Sequence, residues 1–381
     1  MKKKSVLTKV KMVMGICSCL FFISLLSGCK EEQKVCTECL HEVYVPLLTS
    51  DNTEFPVLSK LYSSIDTVFL ENSGPESYIK SVDEVVRIGD TIIVRSSGTL
   101  FFFDRSGRFL NSFNRQGRGH GNYRGIDRID VRPSANELYL LDRENNRVYV
   151  YDMNGNFRRQ VFIEDYVTDF AVLPDGDFLF TNPIKYSDYR RGLWRTDANG
   201  AFREQLVEYD PEFAHVSINN PYLNHISEGV IGFMGVEDND RFYTYSADTI
   251  AVTCRMTTDI VIPDEMKKNS MVFVSPEKEY TKCGYLETPR FLYFVATNYG
   301  ANLVMVYVDK SNWTTYLMYV YSSDFLENTR NKEPFPFLVG CYNGALVGFY
   351  DAGTIIENDF YRKNFPTVNA DSNPVLIFYN E

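Results

Sequence analysis

Near its start the chain carries a cysteine whose surroundings prepare it for acylation. Cys29 follows Leu26-Ser27-Gly28, an apolar stretch from Val13 to Leu26, and a start bearing Lys2, Lys3, Lys4, Lys9 and Lys11. A basic start, an apolar segment and small residues ahead of a cysteine form an export signal. The spacing predicts that Cys29 Sγ takes a diacylglycerol, that the chain is cut ahead of Cys29, and that the freed amine takes a further acyl group. Several acyl chains hold a protein on a membrane where a single one binds reversibly. At roughly 14 residues the apolar stretch is shorter than the ~20 needed to span a bilayer, which argues against a transmembrane anchor.

Other residues with chemical potential are less pointed. Arg115, Arg118, His120 and Arg124 surround the glycine-rich stretch Gly117–Gly125 and form a basic cluster suited to a carboxylated ligand. The stretch lacks the Gly-Lys-Ser/Thr ending of a phosphate loop and does not have the dinucleotide spacing. Its plainer reading is a tight crossing between structural units. Asp127, Asp130, Asp142, Glu144, Asp165, Asp169, Asp175 and Asp177 could include a pair suited to glycoside hydrolysis, but that chemistry depends on a separation that spacing in sequence does not give. Most of them read as turn residues, as in Leu173-Pro174-Asp175-Gly176-Asp177.

His41, His120, His215 and His225 show no metal-ligand spacing, and His215 and His225 read as solvated loop residues. Cys36, Cys39 and His41 offer three zinc donors where a structural site needs four, so no metal and no cofactor is expected. Cys254, Cys283 and Cys341 lie in apolar runs and read as small core residues. No serine sits in a Gly-x-Ser-x-Gly elbow. Tyr186, Tyr189 and Tyr222 fall in segments read as inserts or loops, where a ring can stack on a sugar, although packing claims most aromatics in a β protein.

Residues 1–28 contain five lysines and no acid, so the chain after cleavage carries 34 basic against 50 acidic residues, a net charge of −16. Such a surface repels phosphate backbones, which excludes nucleic acid as a partner and disfavours a bare anionic bilayer.

These candidates must be positioned by β structure, because long amphipathic helical patterns are absent and aromatics make up 15% of the chain. One signature recurs: Asp104-Arg105-Ser106-Gly107-Arg108-Phe109, Asp152-Met153-Asn154-Gly155-Asn156-Phe157 and Asp197-Ala198-Asn199-Gly200-Ala201-Phe202, with glycines 48 and 45 residues apart. Asp bonds its own backbone in a turn, Gly takes the positive-φ position, and the aromatic starts the returning strand on the buried side. With the strand pairs between these hairpins, each unit holds about four strands, and a period near 45 with four strands marks a propeller blade. The first three blades are expected at 82–113, 126–162 and 167–207. Beyond about residue 210 the signature fades, and the strand candidates there fit three more. Ser64–Leu70 and Val375–Tyr379 would close the ring. The expectation is an all-β, six-bladed propeller of four-stranded antiparallel blades at 64–381, with five or seven blades as the alternatives, preceded by a signal peptide at 1–28 and a patternless tether at 29–63.

At this level the residues resemble a known family. Val68-Phe69-Leu70-Glu71, the Asp104–Phe109 turn, Ile129-Asp130, Leu138-Tyr139-Leu140-Leu141-Asp142, and Val148–Asp152 with its Gly155 turn are similar to the six-bladed β-propeller lipoproteins of gut Bacteroidetes. Gly117-Arg118-Gly119-His120-Gly121-Asn122-Tyr123 resembles that family's Gly-x-Gly-Pro-Gly-Glu-Tyr segment, from which His120 and Asn122 depart. The resemblance is good from about Ile65 to Phe180. It implies a lipid-anchored propeller of unknown biochemical role, with no catalytic residues to carry over. Lys30-Glu31-Glu32 after Cys29 resembles the signal that sends lipoproteins of these bacteria to the outer membrane and cell surface. Asp66-Thr67-Val68, Asp90-Thr91-Ile92 and Asp248-Thr249-Ile250 resemble their O-glycosylation acceptor, which makes Thr67, Thr91 and Thr249 candidate sites beside the plainer role of opening a strand. The functional expectation is a non-catalytic protein that is anchored to the membrane through its N-terminal lipid and binds or scaffolds a glycan, peptide or envelope protein. The alternative is a lyase or hydrolase working at the central channel, since propellers host both.

Overall fold

Asp104, Asp152 and Asp197 open three turns of one construction. In each, a carboxylate oxygen accepts the backbone N–H groups two and four residues on, at 2.8 to 3.1 Å. The glycine N–H donates back to the aspartate carbonyl at 2.9 to 3.0 Å. Gly107, Gly155 and Gly200 have φ of +89°, +81° and +89°, where a side chain is strained. A Cβ on Gly107 would lie 2.2 Å from the carbonyl oxygen of Phe69 and one on Gly200 2.6 Å from that of Phe162, whereas one on Gly155 would meet the Phe113 ring at 2.8 Å. Phe69, Phe113 and Phe162 each end the outer strand of the preceding sheet. The repeated glycine therefore serves two needs, a left-handed turn and a close approach between neighbouring sheets.

The computed structural model describes residues 41–48, 58–182, 189–209, 222–235, 240–261, 280–298, 303–319, 336–342 and 344–381. The signal peptide expected at 1–28 and Cys29, Cys36, Cys39, Tyr186 and His215 lie outside them. The described strands make six sheets: 84–113, 128–162, 169–207, 223–258, 280–319, and a sixth built from 337–350, 375–380 and 64–69. The first strands of these sheets touch one another in turn, so Glu84–Ile88, Arg128–Arg132, Asp169–Val172, Leu223–Ser227, Tyr280–Glu287 and Phe337–Tyr342 wall a central channel. Ser64–Phe69 pairs antiparallel with Val375–Asn380, from Ser64 opposite Asn380 to Phe69 opposite Val375, and joins both ends of the chain in blade 6. The fold is the six-bladed propeller expected, and the first three blades fall within two residues of their expected limits.

The middle strands of each blade are buried on both faces, as sheets packed face to face require. Glu137–Asp142 and Phe178–Asn182 are buried at every position. Between blades 2 and 3, Tyr139, Leu141, Val148, Val150, Phe170, Phe178, Phe180 and Trp194 form one cluster. Each such side chain contributes roughly 1.5–3 kcal/mol by leaving water. The aromatic of the repeated turn does not always face inward as expected. Phe109 and Phe157 are half-buried, whereas Phe202 is exposed with the Arg190 guanidinium 3.8 Å from its ring centre.

Residues 29–63 were expected to be patternless, and the structure corrects part of that reading. His41–Val45 is a strand, added in parallel to Thr249–Thr258 as the fifth strand of blade 4. The alternation His-Glu-Val-Tyr-Val turns Val43 and Val45 to the buried face, and the Leu47 N–H donates to Asp259 Oδ1 at 2.6 Å. Leu58 and Tyr62 are buried against the blade 5 and blade 6 aromatics. The repeated turn changes in the later blades. In blade 5 Asp309 still accepts the Ser311 N–H at 3.0 Å, but Trp313, at φ +57°, stands in the left-handed region and stacks on His41 with ring centres 3.9 Å apart. In blade 4 the corresponding turn is a two-residue hairpin with Ala247 and Asp248 at positive φ.

Two short helices, Ala352–Glu357 and Asp359–Asn364, interrupt blade 6. Asp351 and Asn358 cap them by accepting the Thr354 and Phe360 N–H groups at 2.8 and 2.9 Å. Among the described residues no helix is long and apolar enough to cross a membrane.

Candidate functional site

Charged residues interrupt the apolar inner strands, and the ring brings them together around the channel. Glu84 of blade 1 accepts Arg95 Nε at 3.0 Å, and it accepts Arg128 Nη1 at 3.0 Å and the Ile129 N–H at 3.1 Å from blade 2. Asp130 of blade 2 accepts the Val172 N–H of blade 3 at 2.6 Å and lies 2.8 Å from His225 Nε2 of blade 4. Asp169 of blade 3 accepts Arg128 Nε at 2.9 Å, the Phe170 N–H at 2.9 Å, and the Tyr222 and Leu223 N–H groups of blade 4 at 2.8 and 3.0 Å. Asn224 Oδ1 accepts the Glu287 N–H of blade 5 at 3.2 Å, and Cys341 Sγ of blade 6 donates to the Glu287 carbonyl at 3.1 Å. Each inner strand thus offers an acceptor or donor to another blade. A carboxylate stripped of water is costly unless such partners replace its hydration.

This corrects two sequence readings. Asp130 and Asp169 are buried within their strands, and His225 stands on an inner strand rather than in a solvated loop. Tyr222, expected as a rim contact, is 1% exposed and precedes that strand. The available signal was a charge inside an apolar strand run, as in Arg128-Ile129-Asp130-Val131 and Asp169-Phe170-Ala171-Val172.

Burial disfavours the charged His225 ring, but the neighbouring Asp130 and Asp169 carboxylates outweigh it and raise the pKa above the ordinary 6.5. The contribution of the pair to stability is therefore complete below about 6.5 and declines as pH rises through the raised value. The wild type is expected to lose more stability than His225→Gln between neutral and alkaline pH, measured by urea unfolding at several pH values. Parallel curves for the two proteins would show that the ring does not titrate there.

One mouth of the channel opens into a depression of about 280 Å³. Ile88, Val131, Pro133, Leu173 and Pro174 line it together with His225. Among the described residues no group of three His, Cys, Asp or Glu side chains is placed to hold a metal ion. Cys254, Cys283 and Cys341 are free thiols, the first and last buried, and burial pushes all three upward in pKa.

The glycine-rich crossing from blade 1 to blade 2 is pinned at many points. Tyr123 OH donates to the Gly98 carbonyl at 2.9 Å, the Arg124 N–H donates to Asp142 Oδ2 at 2.7 Å, and the Gly117 N–H donates to the Tyr123 carbonyl at 2.9 Å. Tyr151 OH donates to the Gly121 carbonyl, and His120 meets Phe157 edge-on with ring centres 4.9 Å apart. The loop borders a groove of about 430 Å³ into which Arg118, His120 and Arg124 converge, joined by Arg147 from blade 2. Asn122, Asn145, Tyr149 and Gln160 complete its polar wall, and no carboxylate lines it. Arg115 does not join them, since its guanidinium lies 5.8 Å from the Phe113 ring centre. Tyr189 is 37% exposed and leans on Tyr166 at 6.2 Å, on a different part of the ring. Thr67 and Thr249 are exposed and Thr91 is half-buried. Thr91 and Thr249 open strands, whereas Thr67 lies inside the closing strand.

A ring of six mainly four-stranded antiparallel sheets, closed by an N-terminal strand in the last blade, defines a six-bladed β-propeller. The model of the family described as Domain of unknown function (DUF4934) matches residues 46–380, and the chain belongs to that family. A crystal structure of a Bacteroides fragilis protein described as exported resembles it with a TM-score of 0.70 and 15% identity, covering 89% of this chain and 99% of that one. A member of the DUF4221 family from Bacteroides vulgatus resembles it with a TM-score of 0.48 and 10% identity, covering 83% of this chain and 96% of that one. At 15% identity the likeness to the first of these is one of fold. No curated protein matches the chain.

Proposed function

We infer that the protein is an exported lipoprotein, acylated at Cys29 and exposed at the cell surface, whose propeller binds or scaffolds a glycan, peptide or envelope protein. The observation that carries the binding reading is the division of labour among its charges. Glu84, Arg128, Asp130, Asp169 and His225 are engaged in joining blades, while Arg118, His120, Arg124 and Arg147 border an open groove free of carboxylates. An enzyme working in the channel would have to release those carboxylates from hydrogen bonds that hold the ring. The docked strand at His41 leaves 12 residues from Cys29 to the propeller, a reach of at most about 40 Å when extended. Exposed Thr67 and Thr249 are accessible to O-glycosylation, and Thr91 less so.

Labelling cells with a radioactive fatty acid tests the anchor. Wild type is expected to incorporate label and Cys29→Ala to incorporate none, and a labelled Cys29→Ala protein would overturn the lipoprotein reading. Cross-linking intact cells that express the full chain tests the role, with a reproducible envelope or glycan adduct expected. Turnover of a polysaccharide or peptide by the purified chain, lost on changing an inner-strand carboxylate without loss of fold, would replace binding by catalysis.

A further inference from the structure

Resting on the binding reading, we propose that the groove beside the Gly117–Arg124 crossing is a subsite for an acidic oligosaccharide, with a sugar carboxylate held by Arg118 and Arg124. The chemistry is directional. A guanidinium matches a carboxylate by two parallel N–H bonds. Arg118 is exposed and has no ion-pair partner among the described residues, and Arg124 reaches only the exposed Glu144 at 3.6 Å, a contact a ligand carboxylate can displace. Arg147 and His120 add donors on the same wall.

The remaining wall selects sugar over peptide. Asn122 and Gln160 each carry donor and acceptor groups, the pattern that adjacent hydroxyl groups require, and no aliphatic side chain lines the groove to receive an apolar peptide residue. Its volume of about 430 Å³ accommodates one or two sugar rings. A net charge of −16 after cleavage repels long polyanions, so the ligand is a short oligosaccharide carrying few carboxylates. The Tyr123, Tyr151 and Asp142 bonds fix the loop before the ligand arrives, which lowers the ordering cost of binding.

The test is calorimetric titration of the full chain in detergent with trigalacturonate, its methyl ester and hexaglutamate, repeated for Arg118→Ala and Arg124→Ala. Trigalacturonate is expected to bind at least tenfold more tightly than its ester and than hexaglutamate. Each substitution is expected to weaken it at least tenfold while thermal unfolding stays unchanged, and Arg118→Lys to restore part of the loss. Equal binding of the ester, stronger binding of hexaglutamate, unaffected variants, or no binding of trigalacturonate would each overturn the subsite. In those cases a cross-linked adduct that persists in both alanine variants leaves the broader binding reading standing. Loss of every adduct and ligand would remove both.

Discussion

Replacing Asp169 by alanine is expected to lower the free energy of unfolding by about 3–5 kcal/mol, among the larger effects of a single substitution. The carboxylate is fully buried and accepts four hydrogen bonds, from Arg128 Nε and the Phe170, Tyr222 and Leu223 N–H groups. Alanine leaves two blade 4 amides unsatisfied and Arg128 with Glu84 as its remaining close counter-ion. A buried donor without a partner costs about 1–3 kcal/mol, and a buried charge that loses a partner costs more. Asp169→Asn keeps the shape and some of the acceptance, so it is expected to fall between. Asp359→Ala, whose side chain is 96% exposed, is expected to change stability by less than about 0.5 kcal/mol. Urea unfolding of the four proteins measures the series, and a loss below about 1 kcal/mol for Asp169→Ala would show that blades 2, 3 and 4 are not joined through this carboxylate.

Gly107→Ala is expected to cost about 2–4 kcal/mol, from backbone strain at positive φ together with overpacking. The added Cβ would sit 2.2 Å from the Phe69 carbonyl oxygen, so blades 6 and 1 would have to separate at the closing strand. Backbone cannot rotate aside as a side chain can. Gly155→Ala meets the Phe113 ring instead, at 2.8 Å, and is expected to cost less because a ring can turn. Gly125→Ala meets no atom within 4 Å and is expected to be near neutral. Equal stability of the Gly107 and Gly125 variants would show that the repeated glycine serves the turn alone.

Much of the ring was readable because its evidence is local. The Asp-x-x-Gly-x-Phe turn needs six consecutive residues, and its spacing gave the blade length and the limits of the first three blades. The strand His41–Val45 was missed although Val43 and Val45 alternate with polar residues, because five residues are too few to outweigh the absence of a turn partner. Its parallel pairing to Thr249–Thr258 spans more than 200 residues and leaves no mark in the local pattern. The helices of blade 6 were missed for the same reason of length, although Asp351 and Asn358 are recognisable caps.

The groove was half legible. Arg118, His120 and Arg124 lie within seven residues of one another, so their convergence follows from a tight loop. Arg147 comes from the next blade, and Arg115 was lost to the Phe113 ring. The channel was not legible. Asp130 and His225 are 95 positions apart, and Asp169 and Tyr222 are 53.

By itself the sequence determined the acid balance, the repeated turn and hence the kind and length of the blades, because periodicity and turn chemistry act over a few neighbouring residues. The tertiary structure alone decided which charges face one another, which aromatics are buried and which arginines share a groove. Those pairings arise only when closure of the ring brings distant inner strands to a common axis, where a carboxylate excluded from water must find its donors in another blade.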